Sequence, residues 1–333
     1  MKHILIVIAA SLLLFSCEYN GPKILPNISG AAGEVVVVIN KTDWDAETGV
    51  ALHGALSVDE PYLAQREPMF NLVNVPESNF SKIFQTHRNI IIINISSDIQ
   101  EPSYTHQENI WAAPQTVVTI SGASGSQIAQ VIESRTEKLQ ETFLLAEKNR
   151  IIQNARKYEN EGGIRPTVTE MFGGSPFFPR GYSQRKRSNT NDFIWIANES
   201  TYTNQGILIY SFPYIDESSL SLEYLISQRD MMLQANVPGP SPGSYMITNS
   251  AEPLGIKKTT FNKMEYIEVR GLWDVQNDFM GGPFVCLFFP DKEKKNIIAL
   301  DGFVHAPRYE KRNYLRQLEA IIYSFEYKDQ SIN

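Results

Sequence analysis

The chain has 333 residues, of which 42% are hydrophobic, and its 30 lysine and arginine residues are outnumbered by 37 aspartate and glutamate residues. This apolar fraction excludes a disordered or collagen-like chain, and the length predicts one large or two medium domains. Two cysteines are too few for a disulfide-dense scaffold. The formal net charge of −7 argues against broad nucleic-acid binding, which requires a basic face.

The first seventeen residues have the features of a secretory signal. After Lys2, residues 4–15 are apolar except for Ser11. This run is shorter than the roughly 20 residues that span a bilayer, and its length is typical of the apolar region of a signal peptide. The run ends in Leu-Phe-Ser-Cys17, which resembles the lipobox of bacterial lipoproteins.

The resemblance implies cleavage before Cys17, a diacylglyceryl group on its sulfur and an acyl chain on its new amino group. The alternative is an ordinary cleaved signal that a cysteine follows by chance. Residues 1–16 are therefore predicted to be a lipoprotein signal peptide, and residues 17–33 a flexible tether that is rich in Gly, Pro and Asn. Stable anchoring takes two lipid chains, so three chains would hold the protein firmly at the membrane.

The rest of the first half alternates between buried strands and helices. β-branched and apolar runs predict strands at residues 34–40, 69–75, 89–95 and 115–120. Asp43 is predicted to cap a helix that continues to about Leu56. An apolar stripe at helical spacing predicts a long helix over residues 126–158. Gly162 and Gly163 are typical of a helix end, which predicts a domain boundary at residue 162.

The second half contains more strands than the first. Strands are predicted at residues 167–172, 192–197, 206–212, 244–248, 264–273, 284–289 and 297–304, and amphipathic helices at residues 218–233 and 314–325. The predicted fold class is α+β, with an N-terminal subdomain over residues 34–162 and a C-terminal subdomain over residues 163–333. Each is expected to be a mainly antiparallel sheet with helices packed on one face. A strict β-α-β alternation is absent, which argues against a doubly wound fold.

The densest basic stretch of this acidic chain covers residues 180–187. Its candidate partner-binding residues are Arg180, Tyr182, Arg185, Lys186 and Arg187. In one interpretation they hold an anionic partner, such as a lipid headgroup, a glycan phosphate or an acidic protein face. In the other they form a solvated hairpin loop between the strands predicted at residues 167–172 and 192–197.

A second candidate surface follows the strand predicted at residues 264–273. Polar and aromatic residues alternate there before Gly281 and Gly282. Trp273, Asp274 and Asn277 can line a rim that binds carbohydrate or peptide, since tryptophan combines apolar area with a polar atom. The alternative is a bulged hairpin in which the tryptophan packs under the long helix.

No sequence pattern predicts a metal or a cofactor. The histidines of the mature chain are not at metal-ligand spacing. Ser124 and Gln127 form a capping-box pattern at a helix start, and Cys286 lies in an apolar run typical of a buried strand. A dispersed hydrolase site that uses His53 or His87 with a nearby aspartate stays open, because triad members need not be close in sequence.

Several segments together resemble a family of uncharacterised lipoproteins from Bacteroidota. The resemblance rests on the lipobox, the strand at residues 34–40, the stretches at residues 271–274, 280–284 and 300–307, and the helix at residues 314–318. It implies a location in the cell envelope and carries no activity or catalytic residue. We expect a lipid-anchored, non-enzymatic binding or scaffolding module at the periplasmic side or the outer-membrane surface. The alternatives are an envelope hydrolase with a dispersed His/Asp site and a structural subunit of a larger machine.

Overall fold

The structure is a computed structural model that describes residues 24–159, 162–188 and 192–330. In these ranges the chain forms eight α-helices and fifteen β-strands, which confirms the α+β class and, for the chain as a whole, the mainly antiparallel pairing. The predicted signal peptide and Cys17 lie outside the described residues. None of the helices within them is both long and apolar enough to cross a membrane.

A five-stranded sheet forms the centre of the N-terminal half. Its strands are β1 (Glu34–Val38), β2 (Asn71–Val75), β3 (Asn89–Ile95), β4 (Ser103–Glu108) and β5 (Thr116–Gly122). They lie in the order β2-β1-β3-β5-β4. The β-branched runs of β1, β3 and β5 are buried as the sequence predicts. The largely exposed and polar β4 was not predicted, because it lacks an apolar face.

The first four strands of this sheet run parallel, which corrects the expectation of antiparallel pairing in this half. Parallel neighbours need crossover connections, which α1 (Lys41–Trp44) and α2 (Glu47–Leu56) provide between β1 and β2, and α3 (Lys82–Gln85) between β2 and β3. Since β2 and β3 lie on opposite sides of β1, the strand order reverses there as it does in doubly wound sheets. This half therefore contains a strand-order reversal, contrary to the expectation from its lack of a strict β-α-β alternation.

Two of the predicted helices are interrupted. Asp43 does not cap a continuous helix, since it lies inside α1, and α2 starts only after a break. The long helix is split into α4 (Gly125–Ser134) and α5 (Thr136–Lys157) at Arg135, where the apolar stripe is interrupted in sequence. Ser124 caps α4 as predicted, because its hydroxyl oxygen accepts a hydrogen bond of 3.3 Å from the Gln127 backbone.

The C-terminal half contains an antiparallel sheet of eight strands. They are β7 (Ser183–Ser188), β8 (Phe193–Glu199), β9 (Asn204–Pro213), β10 (Tyr245–Thr248), β11 (Gly255–Phe261), β12 (Met264–Gln276), β13 (Gly281–Pro290) and β14 (Asn296–His305). Their order is β10-β12-β13-β14-β9-β8-β7, with β11 paired to β12. A further pair joins β6 (Gly174–Ser175) to β15 (Glu326–Tyr327). Antiparallel pairing is confirmed here.

Helices cover both faces of the large sheet, which corrects the expectation of helices on one face. The helices α6 (Ile164–Phe172) and α8 (Arg312–Tyr323) pack in one core cluster, and α7 (Leu222–Asn236) packs in the cluster on the opposite face. Cys286 is fully buried in the second cluster, as predicted. Successive side chains of a strand point to opposite faces, so an apolar run such as residues 284–289 contributes to both clusters.

The strand predicted at residues 167–172 is wrong, since these residues belong to α6. Ile164, Val168 and Phe172 are buried at a spacing of four, which is the stripe of a helix rather than the alternation of a strand. Gly163 and Gly173 flank the helix with φ values of 77° and 73°. The β-branched residues favoured a strand in sequence, and packing against the sheet overrides that local preference.

The described end of the predicted tether is attached to the N-terminal half. The Ser29 backbone N–H donates to the Thr86 carbonyl at 2.8 Å, and the Ser29 carbonyl accepts from Arg88 at 3.0 Å. The Ala113 backbone N–H likewise donates to the Pro26 carbonyl at 2.9 Å. Residues 26–29 therefore lie against the fold, although the sequence predicted a free tether up to residue 33.

Polar contacts connect the two halves along α5 and α8. The Glu67 carboxylate accepts hydrogen bonds from the backbone N–H groups of Lys311 and Arg312, at 2.6 Å and 2.8 Å, where α8 begins. Lys148 of α5 forms an ion pair of 2.8 Å with Glu319 of α8. The free N–H groups of a helix N-terminus attract carboxylates, so Glu67 fixes the start of α8 against the N-terminal half.

Candidate functional site

A cleft of about 510 Å³ lies between the two halves. Side chains of α5 and α8 form two of its walls, and the segments that precede β1, β3, β5 and β7 form the rest together with Asn198 of β8. Its charged and polar lining residues are Arg88, Glu147, Arg150, Asn154, Arg180, Tyr182, Asn198, Asn313, Arg316 and Gln317. The cleft therefore lies at the amino ends of the parallel strands, whereas open α/β sheets bind ligands at the carboxyl ends.

The lining of this cleft, which we call the arginine cleft, is strongly basic in an acidic chain. Four arginines, Arg88, Arg150, Arg180 and Arg316, face one carboxylate, that of Glu147. A cleft whose walls carry mostly positive charge concentrates the electric field and raises the local concentration of anions. This charge arrangement favours an anionic ligand.

Glu147 and Arg150 form the structural base of the arginine cleft. Arg150 donates to the Arg88 carbonyl at 2.8 Å, to the Pro114 carbonyl at 3.0 Å and to the Thr116 hydroxyl at 3.0 Å. Its Nη1 lies 3.1 Å from Glu147 Oε1. Burial lowers the pKa of the Arg150 guanidinium, and the negative charge of Glu147 opposes that shift. Arg150 thus holds α5 against the starts of β3 and β5 and uses most of its donors to do so.

Arg88 and Arg316 keep donors that have no acceptor. Arg88 Nη1 lies 2.9 Å from Glu147 Oε2, while Arg88 Nε is buried without a hydrogen-bond partner. Arg316 Nη2 donates to Glu60 at 2.6 Å and to the Met69 carbonyl at 2.9 Å. Its Nε and Nη1 are buried without a partner. A buried donor that lacks an acceptor costs about 1–3 kcal/mol, and more when it is charged.

These unpaired N–H groups define what the arginine cleft can do chemically. A guanidinium group has five donors in a fixed plane, and this fork matches the oxygens of a carboxylate or phosphate. The arrangement therefore supports binding of an oxyanion.

Two of the predicted partner-binding residues lie at the arginine cleft. Arg180 is exposed at its edge, and its backbone N–H donates to the Tyr158 carbonyl at 3.1 Å. Tyr182 is buried in the lining, where burial raises the pKa of its hydroxyl above the ordinary value. The structure brings these two residues together with three arginines that the sequence analysis did not select.

The remaining residues of the basic stretch belong to an edge strand, which corrects the prediction of a hairpin loop. Arg185 and Arg187 of β7 are exposed, and Arg185 forms an ion pair with Glu199. Lys186 donates to the Asn236 carbonyl at 2.9 Å instead. Because strand residues alternate between faces, the three cations do not form one continuous basic surface. Their role in partner binding stays a prediction.

Trp273 is buried, so it does not form the surface rim that its sequence neighbours suggested. It is 2% exposed, and its indole N–H donates to the Val304 carbonyl at 3.2 Å. It packs against Phe303 rather than under the long helix. Asp274 Oδ1 accepts from the Val275 backbone at 2.8 Å, and Asn277 is an exposed turn residue with a φ of 67°. A binding role for Asp274 and Asn277 stays a prediction.

In the described part of the chain, neither His53 nor His87 has an aspartate among its hydrogen-bond or ion-pair partners, whereas the hydrolase alternative requires one. His53 is exposed and contacts the Trp44 ring. His87 is buried, and its Nε2 lies 3.4 Å from a glutamate oxygen, that of Glu34. Burial lowers the pKa of His87 below its usual value. Among the described residues, no group of three or more His, Cys, Asp or Glu can hold a metal ion.

Sequence patterns contain little indication of the arginine cleft itself. Arg88 directly precedes a buried strand, and Glu147 and Arg150 lie one helical turn apart on α5. In sequence, the pair of Glu147 and Arg150 resembles an ordinary i,i+3 ion pair on a solvated helix face. The remaining sequence signal for this cleft is a charged residue directly before an apolar strand. Such a residue lies at the strand end that faces the neighbouring half.

Two family models match the chain, and both are described as domains of unknown function. One, DUF8532, matches residues 29–156, and the other, DUF4837, matches residues 163–324. The two matches are consistent with an uncharacterised family. No curated protein matches the chain in sequence.

Proposed function

We propose that the chain is a lipid-anchored, non-enzymatic binding protein of the bacterial envelope, and that its arginine cleft holds a small oxyanion. The bound group is a carboxylate or a phosphate, either free or carried by an envelope component. The lipobox at Cys17 and the resemblance to lipoproteins of Bacteroidota support the envelope location. The cleft chemistry supports the ligand class.

One observation carries the ligand assignment. Arg88 Nε, Arg316 Nε and Arg316 Nη1 are buried N–H groups in or beside one cleft, and none has an acceptor. Native proteins rarely leave buried donors unpaired, so each such group calls for an explanation. Hydrogen bonds from a charged donor to a charged acceptor are roughly twice as strong as neutral ones, and a bound oxyanion supplies such acceptors.

The proposed anchor would keep the arginine cleft close to the membrane. Ile28, Ala32 and Gly33 belong to its lining, and the chain is attached to the fold from Pro26 onward. The stretch between Cys17 and Pro26 spans at most about 30 Å when fully extended at about 3.3 Å per residue. This short reach favours a ligand or partner at the membrane surface.

Isothermal titration calorimetry of the full chain in detergent tests the ligand class, with inorganic phosphate and citrate as separate probes. We expect one of them to bind and the Arg316→Gln variant to lose about 10–100-fold in affinity, the value of a charged hydrogen bond. Arg88→Lys keeps the positive charge beside Glu147 but removes Nε, so it should also bind more weakly. The matched control is Arg308→Gln, an exposed arginine over the Tyr202 ring outside the cleft.

Equal anion affinities in the wild type and the three variants would contradict the cleft assignment. The failure of both anions to bind would also contradict it. Turnover of a glycan or peptide substrate by the purified chain would contradict the non-enzymatic role. The anchor has its own test, which is mass spectrometry of the mature N-terminus. We expect an acylated Cys17 as the first residue, and an unmodified cysteine or a different first residue would overturn this part.

A further inference from the structure

The segments that receive the start of the described chain form one surface of the N-terminal half. They are residues 24–29, 80–87 and 110–114, and we call this surface the N-terminal patch. Backbone hydrogen bonds join the first segment to the other two. The buried Gln115 side chain ties the second segment to the third, because it donates to the Gln85 carbonyl at 2.6 Å and accepts from the Trp111 backbone N–H at 3.0 Å. The N-terminal patch is therefore one packed surface rather than three separate loops.

Apolar side chains of the N-terminal patch face solvent. Ile83 of α3 is 78% exposed, and Ile24, with which the described chain begins, is 95% exposed. The Phe80 and Trp111 rings are partly exposed and pack edge to face, with 5.4 Å between their centroids. A tryptophan that has apolar neighbours and partial access to water is typical of a membrane–water interface. Exposed apolar side chains occur singly on many surfaces, so the charge and the position of this patch decide what covers it.

The N-terminal patch lacks negative charge in an acidic chain. None of the residues in its three segments is aspartate or glutamate, although the chain contains 37 of them, and the exposed Glu77 and Glu108 lie beyond the ends of these segments. Lys82 is exposed next to Ile83, whereas the histidine of the patch, His87, is buried. A lysine beside apolar side chains can extend to the level of lipid headgroups, and an anionic membrane surface attracts it. The charge of the patch therefore favours a membrane surface.

We propose that the N-terminal patch rests on the bilayer that holds the acyl chains of Cys17, with Ile83 inserted at the level of the headgroups. This contact depends on the proposed anchor and identifies which surface of the protein meets the membrane. Cys17 and Ile24 are seven positions apart, so the stretch between them spans at most about 23 Å at about 3.3 Å per residue. Because this stretch ends within the patch, the anchor brings the patch to the membrane before other surfaces. A short tether gives the attached surface a high effective concentration at the membrane, which makes the contact of two isoleucines sufficient.

Membrane contact through the N-terminal patch also positions the arginine cleft. Ile28 and Pro114 belong both to the patch and to the lining of the cleft, and Arg88 follows the second segment of the patch directly. The patch and the cleft are therefore contiguous. A patch that rests on the bilayer keeps the cleft beside the headgroup layer, where an oxyanion carried by an envelope component is within reach.

Site-specific fluorescence of the full acylated chain in vesicles of phosphatidylethanolamine and phosphatidylglycerol tests the proposal. A nitrobenzoxadiazole label is attached to the Ile83→Cys variant, and the labelling is selective because Cys286 is buried and the proposed thioether blocks Cys17. We expect the label at position 83 to lose most of its emission when the vesicles contain lipids with a nitroxide on the upper acyl chain. Ile215→Cys is the matched control, because Ile215 is a 72% exposed isoleucine of the C-terminal half, and its label should keep its emission.

Three outcomes overturn the proposal, and mass spectrometry of Cys17 together with flotation of the vesicles separates them. An acylated chain that floats with the vesicles while the label at position 83 stays unquenched refutes the membrane contact and leaves the anchor intact. Equal quenching at positions 83 and 215 shows that the chain has no preferred surface at the membrane. An unmodified Cys17 in a chain that does not float with the vesicles contradicts the anchor and the contact together.

Discussion

Arg316 Nη2 lies 2.6 Å from Glu60 Oε2, and this ion pair joins α8 of the C-terminal half to a loop of the N-terminal half. Both side chains are 8% exposed. The pair engages one of the three guanidinium nitrogens and leaves Nε and Nη1 without an acceptor. One residue thus contributes both to the junction of the halves and to the proposed anion site.

This double role predicts that Glu60→Gln has opposite effects on stability and on binding. Loss of the ion pair should lower the melting temperature, whereas removal of a negative charge beside Arg316 should strengthen anion binding. A charge at contact distance contributes about 1 kcal/mol in a water-like medium, so affinity should rise about fivefold. Calorimetric titration with the anion that binds the wild type measures the effect. Glu310→Gln on the exposed surface is the control, and weaker binding by Glu60→Gln would show a purely structural role.

The ion pair between Arg229 of α7 and Asp301 of β14 is fully buried, at 2.8 Å with both side chains 0% exposed. Burial raises the pKa of Asp301, and the arginine opposes this shift. Asp301→Asn leaves an unpaired charge in the core and should reduce the free energy of unfolding by about 3–5 kcal/mol. Guanidinium denaturation measures this loss. The double variant Arg229→Met with Asp301→Leu should recover most of it, and equal stability of the single and double variants would contradict this account.

The lowered pKa of His87 predicts that the folded chain loses stability in mildly acidic solution. Burial lowers its pKa in the folded chain, with Glu34 opposing the shift, whereas the unfolded histidine titrates near pH 6.5. Below that pH the unfolded state binds a proton that the folded state resists, so stability is fully present above about pH 6.5 and falls as the pH drops toward the lowered pKa. Urea denaturation at pH 7.5 and at pH 5.0 measures how much the free energy of unfolding falls between the two. This fall should be smaller for His87→Gln than for the wild type. His106→Gln, an exposed control, should keep the wild-type difference, and parallel behaviour of all three proteins would refute the prediction.

Thiol titration tests burial and lipidation together. Cys286 is fully buried, and burial raises the pKa of its thiol, so it should not react with dithionitrobenzoate in the folded chain. In guanidinium the mature protein should show one reactive thiol, because the proposed thioether blocks Cys17. Two reactive thiols after unfolding would mean that Cys17 carries no lipid.

Local patterns predicted those parts of the fold that depend on local sequence. β1 and β3 are β-branched runs buried on both faces, and Ser124 caps α4 through its hydroxyl group. The parallel pairing in the N-terminal half was not predicted, since strand direction follows from crossover connections rather than from residues within a strand. The segment at residues 167–172 was misassigned because its β-branched residues also fit a buried helix stripe.

The candidate sites depend on contacts that sequence patterns do not contain. Arg88 and Arg316 are 228 positions apart in the numbering and each resembles an ordinary charged residue. The packing of the two halves brings them into one cleft. Trp273 was selected from sequence, but the ring that it contacts, Phe303, lies on β14, which β13 separates from the strand of Trp273 in the folded sheet.

The central claim is that the arginine cleft binds an oxyanion through Arg316, and crystals of the full chain soaked in selenate test it most directly. Selenate has the shape and charge of a tetrahedral oxyanion, and selenium can be located by its anomalous scattering. The account predicts an anomalous peak within hydrogen-bond distance of Arg316 Nε or Nη1, which Arg316→Gln abolishes. Selenate bound elsewhere on the protein, with an empty arginine cleft, would contradict the claim.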